Sequence, residues 1–251
     1  MATLIRSLEP DGVTVSIGGE IGEVGKENST EGELRAYLDG LRRELAKTGA
    51  GGSNGVAISK VSVQTGTSHG GTVNPDGSVA AVAVDFGVHE RLGVVARQEY
   101  GLAGTVQHGA STLPDEDFHR FREVEVAEIH LATGFQNLLY EHPAFPRSLH
   151  EQIEQWCFGN ALAERKPDQT DQQFVYTTRK KALGPFKRQL WDLESKDEIL
   201  AAQRRKIAYL FTELRVNDSR EMVERYIYPV ALHRPIPEAT RAALAEASAA
   251  R

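Results

Sequence analysis

The chain has 251 residues, of which 40% are hydrophobic and 25% are charged, and its formal net charge is −6. This balance is typical of a soluble globular protein and does not indicate a basic surface for nucleic acid. The single cysteine, Cys157, excludes an internal disulfide, and the sequence shows neither a membrane span nor a signal peptide, so we expect a cytoplasmic protein.

The first predicted unit is a strand followed by a helix. Residues 13–17 alternate in polarity like a strand and lead into a glycine-rich exit that carries Glu20. Glu27 lies in the loop beyond this exit. Thr30 and Glu33 then fit a capping box, and leucines at helical spacing follow, so a helix is predicted from there.

Two later strands are predicted to end in a histidine followed by a glycine. They are residues 57–65, which lead to His69 and Gly70, and residues 102–107, which lead to His108 and Gly109. Imidazole is the commonest metal ligand, and a catalytic zinc typically takes three protein ligands. Each glycine lets backbone N–H groups approach an anion closely. A lone histidine is usually a surface or core residue, but two copies at matching strand ends indicate a metal site.

The elements between and after these strands continue the alternation. Residues 79–86 are predicted to be extended, 88–100 helical, and 115–121 a short acidic helix. A fourth strand at 127–132 leads to Thr133. Strands that alternate with helices predict a parallel sheet. Because α/β proteins keep their active sites at the carboxyl ends of such strands, we expect the polar exits to converge there.

After Pro143 the sequence predicts helices without glycine-rich loops. They lie at about 148–160, 172–192, 196–215 and 219–228, with a helical tail from 237. Ser195 and Glu198 fit a capping box for the third of them. We therefore divide the chain into residues 1–142 and an all-helical extension, 143–251, that serves packing or oligomerisation. A basic cluster in the extension either forms a solvated helix face, the commoner use, or faces a phosphorylated ligand; its members are Arg179, Lys180, Lys181, Lys187 and Arg188.

The four strand exits resemble those of the class II, metal-dependent fructose-bisphosphate aldolase family. They read Gly19-Glu-Ile-Gly22, Gly66-Thr-Ser-His-Gly70, His108-Gly-Ala-Ser-Thr-Leu-Pro-Asp-Glu116 and Ile129-His-Leu-Ala-Thr133. The family's counterparts are Glu-Leu-Gly, Gly-Thr-x-His-Gly, His-Gly-Gly-Ser-Gly-Leu-Pro and Ile-Asn-x-Asp-Thr. Order and spacing agree throughout residues 13–140. The resemblance implies a (β/α)8 TIM barrel of which these strands are the fifth to the eighth.

The resemblance also implies an activity and its site residues. The activity is zinc-dependent, reversible aldol cleavage of a ketose phosphate, such as fructose 1,6-bisphosphate, to dihydroxyacetone phosphate and an aldehyde. The implied zinc ligands are His69 and His108, with Glu20 as an additional or alternative ligand, and another divalent metal would suit the same set. Glu27 lies near the family's loop acid and would transfer a proton. The residues that would hold the substrate phosphate are Gly70, Gly109, Ser111 and Thr133.

The sequence departs from the family pattern at several of these exits. Ala110 and Thr112 replace glycines, and Ala132 stands where the family has an aspartate that contacts substrate. His130 occupies the position of a substrate-binding asparagine, where it either hydrogen-bonds a substrate hydroxyl or has a structural role. Glu128 stands where a lysine is usual. These changes put the identity of the sugar phosphate in question.

The family's first four strands, which carry a further histidine ligand and an aspartate acid, have no counterpart before Met1. The chain then corresponds to a truncated reading frame, which we favour, to one of two copies that pair into a barrel, or to a half-barrel without turnover. We expect either a homo-oligomer or a missing N-terminal half. Alternative functions are a non-catalytic metal- and sugar-phosphate-binding half-barrel and a different sugar-phosphate enzyme on the same scaffold. We predict weak zinc binding and negligible cleavage by residues 1–251 alone. For Glu20, the alternative role is a carboxylate hydrogen-bonded to neighbouring backbone.

Overall fold

The computed structural model describes residues 1–22, 27–48, 58–67, 73–80, 83–227, 235–238 and 240–241. The chain divides into two compact units, Met1–Asn217 and Asp218–Arg251. The division predicted after residue 142 falls inside the first unit, which therefore holds the sheet together with most of the helices that follow it. The second unit contains the helix Arg220–Tyr226, on which Met222 is exposed.

The first unit contains a parallel sheet. Within the described residues, its four strands lie side by side in chain order: β1 (Gly18–Glu20), β2 (Lys60–Ser62), β3 (Gly104–Gln107) and β4 (Glu128–Ile129). Every neighbouring pair is parallel, so each connection returns the chain to the same edge before the next strand begins. The predicted α/β class with four parallel strands is confirmed. Its assignment to a (β/α)8 barrel stays a prediction.

Ten helices lie in the described part of the chain. They are α1 (Ala2–Leu8), α2 (Glu31–Thr48), α3 (Phe86–Gln98), α4 (His119–Glu123), α5 (Thr133–Tyr140), α6 (Arg147–Asn160), α7 (Asp171–Thr178), α8 (Lys187–Trp191), α9 (Lys196–Glu213) and α10 (Arg220–Tyr226). Short 3-10 turns cover Ala110–Thr112, Asp115–Asp117, Leu162–Glu164 and Arg179–Leu183. The bounds of α2, α3, α6, α9 and α10 lie within two residues of the predicted ones. The Thr30 capping box is confirmed, because Thr30 and Glu33 bond each other's backbone N–H groups.

The helix predicted over 172–192 is interrupted in the structure. After α7 the chain forms a 3-10 turn, passes Gly184 and Pro185, and only then begins α8. Proline has no N–H to donate, so a continuous helix ends there. The predicted Ser195 cap is wrong, since its side chain makes no capping hydrogen bond. Thr170 instead forms a capping box at the start of α7.

Two predicted extended segments also differ from the structure. Ladder pairing of the first strand begins at Gly18, beyond residues 13–17, none of which is buried. A strand needs one buried face to be held in a sheet, and this segment lacks one. Over 79–86, Val79 forms an isolated antiparallel bridge, and α3 then begins with Asp85 as its N-cap.

The core of the first unit has three clusters of buried side chains. One packs α2 and α3 against β2 through Leu34, Leu92 and Val61. A second brings Leu210 of α9 against Phe118 beside the ends of β3 and β4. The third joins α6 and α7. The helices after residue 142 therefore complete the packing of the sheet region within this unit.

Candidate functional site

The sheet has an apolar face and a polar face. Val61 and Val63 are buried against α2 and α3 on the apolar face. Because successive strand residues point to opposite sides, Lys60 and Ser62 point away from these helices. Glu20 is the register partner of Ser62 and shares its side of the sheet. The polar face therefore carries side chains from adjacent strands toward the carboxyl ends.

Glu20 and His108 meet at the carboxyl edge of this polar face. The His108 Nδ1 atom lies 3.1 Å from Glu20 Oε2 and 3.4 Å from Ser62 Oγ. The other Glu20 oxygen accepts a hydrogen bond of 2.5 Å from the backbone N–H of Gly22. One oxygen of Glu20 therefore has the backbone-bonded role considered from the sequence, while the other faces His108, and the role as a metal ligand stays a prediction.

A small cavity, here named the inner cavity, lies beside this pair and has a volume of about 30 Å³. It is lined by Glu20, Gly22, Ser62, Val63, Gln64, Thr67, His108 and Gly109. This volume corresponds roughly to one water molecule, so a single ion has room there. Two ligands bound to tetrahedral zinc at about 2.0–2.2 Å lie roughly 3.3 Å apart, close to the separation of the Glu20 and His108 donors. The separation of 3.1 Å is thus compatible with two ligands of one zinc ion, and it is also that of a direct hydrogen bond between the two side chains.

The third predicted zinc ligand, His69, lies outside the described residues, as does Gly70. Within the described ranges, no group of three or more His, Cys, Asp or Glu side chains surrounds a common point. The fit to zinc consequently stands on one imidazole nitrogen and one carboxylate oxygen.

A larger cavity of about 320 Å³, the outer cavity, adjoins the inner one across His108 and Gly109. It is lined by His108, Gly109, Ser111, His130, Leu131, Ala132, Thr133, Gln136 and Lys180. Its volume lies at the low end of the range for small-molecule sites, about 300–1,000 Å³. The structure brings Ser111 and Thr133 together here, as predicted for the phosphate-binding residues. Glu27 is exposed and lines neither cavity.

Two glycines shape the outer cavity. Gly109 has φ +72°, a left-handed conformation that turns the chain sharply after His108 and that other residues adopt at a cost. Gly134 lies so close to the loop after β3 that an added Cβ atom would be 2.8 Å from the carbonyl oxygen of Ser111. The Ser111 Oγ also accepts a hydrogen bond of 3.2 Å from the backbone N–H of Ala132. The close approach at Gly134 and the Ser111 hydrogen bond therefore hold the loops after β3 and β4 against each other.

His130 stands at the junction of a polar chain that crosses the sheet. Its ring stacks on that of His108, with centroids 4.5 Å apart, and its Nε2 is hydrogen-bonded to Glu128. The second oxygen of Glu128 accepts from the ammonium of Lys60. Burial raises the pKa of Glu128, but the hydrogen bonds from Lys60 and His130 outweigh it and hold that pKa below its usual range.

Lys60 and Ser62 belong to the candidate site but were not predicted as site residues from the sequence. The available signal was the alternation of these polar residues with Val61 and Val63, which marks a strand with one apolar and one polar face. A polar face on a strand that ends beside a candidate histidine indicates side chains that belong to the same site.

Members of the predicted basic cluster have different surroundings. Lys180 is exposed and lines the outer cavity. Arg179 is buried and donates to Asn137 at 2.8 Å and to Glu141 at 2.7 Å. Lys181 pairs with Glu164 on the surface. Lys187 and Arg188 line a separate cavity of about 660 Å³ beside Trp191. Of the five members of the cluster, Lys180 is therefore the one that borders the outer cavity.

No family model matches the chain, and no curated protein is similar enough to count as a relative. The likeness to class II aldolases accordingly stays a prediction from the strand-exit motifs. Across the described ranges, none of the helices combines the length and the apolar character needed to cross a bilayer.

Proposed function

We propose that this chain binds a divalent metal ion, zinc being the first choice, beside a sugar phosphate, as a protein of the class II aldolase type would. The metal ligands in this proposal are Glu20 and His108, joined by His69. The observation that supports it best is that His108 lines both cavities and that its Nδ1 faces Glu20. An ion in the inner cavity and an organic ligand in the outer cavity would then be neighbours.

The reaction we propose is the reversible aldol cleavage of a ketose phosphate. A divalent ion supplies a Lewis acid that polarises the substrate carbonyl. The chain supplies orientation, because the Gly22 N–H holds one oxygen of Glu20 and leaves the other directed at His108. Ligands held in this way lose little freedom when they bind, which favours affinity.

Three features of the outer cavity support phosphate as the anchoring group. Lys180 provides a positive charge in its wall. Ser111 and Thr133 provide hydroxyl groups that can donate to phosphate oxygens. α5 begins at Thr133, and the first turn of a helix attracts anions through its N–H groups and dipole.

His130 is our candidate for proton exchange with the substrate. It lines the outer cavity, is exposed, and is hydrogen-bonded to Glu128. A histidine paired with a carboxylate can donate a hydrogen bond to a substrate hydroxyl and act as a general acid or base. Since Lys60 holds the other Glu128 oxygen, the orientation of the pair is fixed from the sheet.

A second candidate function, binding of the same ligands without turnover, is favoured by Ala132. This residue lines the outer cavity with a methyl group, whereas the family carries a substrate-contacting aspartate there. A site that lacks an orienting group loses rate, because correct positioning of the reacting atoms lowers the barrier.

The proposal is tested by calorimetric titration of the metal-free chain with zinc chloride. We expect Glu20→Gln and His108→Ala to bind zinc at least about tenfold more weakly than the wild type. The control is His119→Ala, a partly exposed histidine whose Nδ1 lies 2.6 Å from the Glu116 carbonyl oxygen and which lines neither cavity, and it should leave zinc affinity unchanged. Equal zinc affinity in the wild type and His108→Ala would contradict the proposed ligand set.

A coupled assay with fructose 1,6-bisphosphate separates the two candidate functions. Turnover by residues 1–251 that a chelator abolishes would support the aldolase and would contradict the negligible cleavage predicted from the sequence. Binding of zinc and inorganic phosphate without turnover would support the binding protein, and failure to bind either probe would overturn both.

A further inference from the structure

A chain of buried polar side chains lies behind the candidate site, on the helix-facing side of β3. His89 on α3 reaches Thr105 and Gln107 on β3, and Thr65 follows β2. All four residues have 0% of their surface exposed. The surrounding helix–sheet interface is apolar, so each of these polar groups is unfavourable unless it is hydrogen-bonded.

Gln107 is the centre of this network. Its side-chain oxygen accepts from Thr65 Oγ1 at 2.8 Å and lies 2.5 Å from His89 Nε2. Its amide nitrogen donates to Thr67 Oγ1 at 3.0 Å and to the carbonyl oxygen of His108. Thr67 Oγ1 donates to that same carbonyl oxygen at 3.0 Å. The main-chain carbonyl of His108 is thus held by two donors.

These hydrogen bonds define which ring nitrogen of His89 carries the proton. Because the side-chain oxygen of Gln107 can only accept, Nε2 of His89 carries the ring proton. Nδ1 then accepts from the hydroxyl of Thr105 at 2.8 Å. Burial lowers the pKa of His89 and outweighs the opposing effects of Gln107 and Asp85. His89 is therefore a neutral imidazole with both nitrogens used.

We propose that His89 is a positioning residue for the candidate site: it fixes the Gln107 amide, which holds the main chain of His108 and so directs the His108 imidazole toward Glu20. The carbonyl in question belongs to the peptide that leads into the left-handed turn at Gly109, where φ is +72°. A change in its direction would therefore rotate the start of that turn as well as the histidine. The inference rests on the proposed function in so far as His108 is taken as a metal ligand.

The test compares His89→Leu with His89→Gln in the full chain by ¹H–¹⁵N NMR without metal. Leucine fills the space and removes both nitrogens, whereas the glutamine amide can again donate to the oxygen of Gln107. We expect His89→Leu to shift the side-chain amide signals of Gln107 and the backbone amide signals of His108 and Gly109. His89→Gln should restore these signals toward their wild-type positions, and the control His119→Gln should leave them unchanged.

A second variant covers the case in which His89→Leu does not fold. Thr67→Val removes one of the two donors to the His108 carbonyl with little change of volume, so it should shift the same His108 and Gly109 signals. A purely structural histidine predicts instead that His89→Leu and His89→Gln perturb only the signals around α3. Wild-type His108 signals in a folded His89→Leu protein, or in Thr67→Val, would overturn the proposal.

Zinc titration of the same variants separates this inference from the proposed function. Residues that orient a metal ligand typically contribute about 10–100-fold to affinity, so we expect a loss of that order in His89→Leu and recovery in His89→Gln. If the wild type binds no zinc but the NMR coupling is present, the proposed function fails and the positioning role stands. If zinc binds the wild type and His89→Leu equally, the positioning role fails and the proposed function stands.

Discussion

The imidazole ring of His130 stacks on that of His108, with centroids 4.5 Å apart and planes 26° apart. The same two residues line the outer cavity, and His108 alone of the pair also borders the inner cavity. Glu128 then connects His130 to Lys60 on β2. The candidate site is therefore a connected set of side chains that extends across neighbouring strands on the polar face of the sheet.

Glu128→Gln tests the polar end of this chain. Since the pKa of Glu128 is lowered in the folded protein, its contribution to stability is present above the unfolded pKa, near 4.5, and is lost as the pH falls through the folded value. Glu128 is partly exposed, so we expect the substitution to lower the free energy of unfolding at pH 7 by about 1 kcal/mol or less. Urea unfolding between pH 3 and pH 7 measures this difference, which should shrink at the acidic end.

The control for that series is Glu151→Gln, which removes a carboxylate from an exposed pair with Arg147 on α6. Its effect should be close to zero at every pH, since exposed pairs contribute little. A Glu128→Gln protein as stable as the wild type at pH 7 would show that the Lys60 pair contributes nothing.

The burial of His89 predicts a second pH dependence of stability, which has a different origin. Its pKa is lowered by burial, so the unfolded chain binds a proton more readily than the folded one below about pH 6.5. The contribution of His89 to the free energy of unfolding should be fully present above that pH. It should decrease as the pH falls toward the folded pKa, by at most about 1.4 kcal/mol per pH unit. Asp85, at the cap of α3, opposes the effect.

The His89 pH dependence is measured as the difference in unfolding free energy between wild type and His89→Gln from pH 4.5 to pH 8. Glutamine does not titrate in this range, so the variant should lack the step that the wild type shows between pH 6.5 and the folded pKa. Parallel curves for the two proteins would mean that His89 is not the group responsible.

Gly134→Ala tests the contact between the loops after β3 and β4. An added methyl group would meet the carbonyl oxygen of Ser111 at 2.8 Å, so the loops must move apart. We expect a loss of about 1–3 kcal/mol in stability, as for other overpacked sites, together with weaker binding of inorganic phosphate. The matched control is Gly159→Ala on α6, where the added atom meets nothing within 4 Å. That change should stabilise the protein by about 0.5–1 kcal/mol through helix propensity. Similar effects at both glycines would refute the steric account.

Arg179 and Lys180 are neighbours in sequence for which we expect opposite results. Arg179→Met removes partly buried hydrogen bonds to Asn137 and Glu141 and a cation–π contact with Tyr140, and should cost about 2 kcal/mol of stability. Lys180→Met should leave stability unchanged within about 0.5 kcal/mol and weaken phosphate binding. Thermal unfolding and phosphate titration of both variants give the comparison. Undiminished phosphate binding by Lys180→Met would remove Lys180 from the proposed site.

The parts of the site that could be predicted from the sequence are those fixed by local rules. Glu20 ends β1 and His108 follows β3, and parallel strands bring their carboxyl ends to one edge, so the meeting of these two side chains follows from the topology. The pairing of Lys60 with Glu128 joins residues 68 positions apart through side-chain lengths and directions that no periodicity encodes. A histidine counts as polar in any hydrophobicity pattern, yet His89 is fully buried because two side chains of β3, Thr105 and Gln107, hydrogen-bond its ring nitrogens.

The contrast between local rules and tertiary packing also explains which features of the helices after residue 142 could be predicted. Their existence follows from apolar spacing, and the bounds of α6 and α9 agree with it. Which cation faces the outer cavity depends on the change from α-helix to a 3-10 turn at Arg179, after the eight residues of α7 and before Gly184 is reached. Sequence pattern alone therefore left Arg179 and Lys180 equivalent, whereas the fold makes one structural and the other available.

The capping box at Thr170 also has a consequence for the order of assembly during synthesis. Thr170 Oγ1 donates to the carbonyl of Pro75 and Gln173 donates to that of Val73, contacts between residues 95 and 100 positions apart. Because closing long loops is slow, such contacts form late in folding. A nascent chain that has delivered β4 but not α7 to the ribosome exit already holds all four strands, yet it lacks the Lys180 wall of the outer cavity. Under the proposed function, capture of a ligand is therefore deferred until the helices that follow the sheet have emerged, while Glu20 and His108 can meet before them.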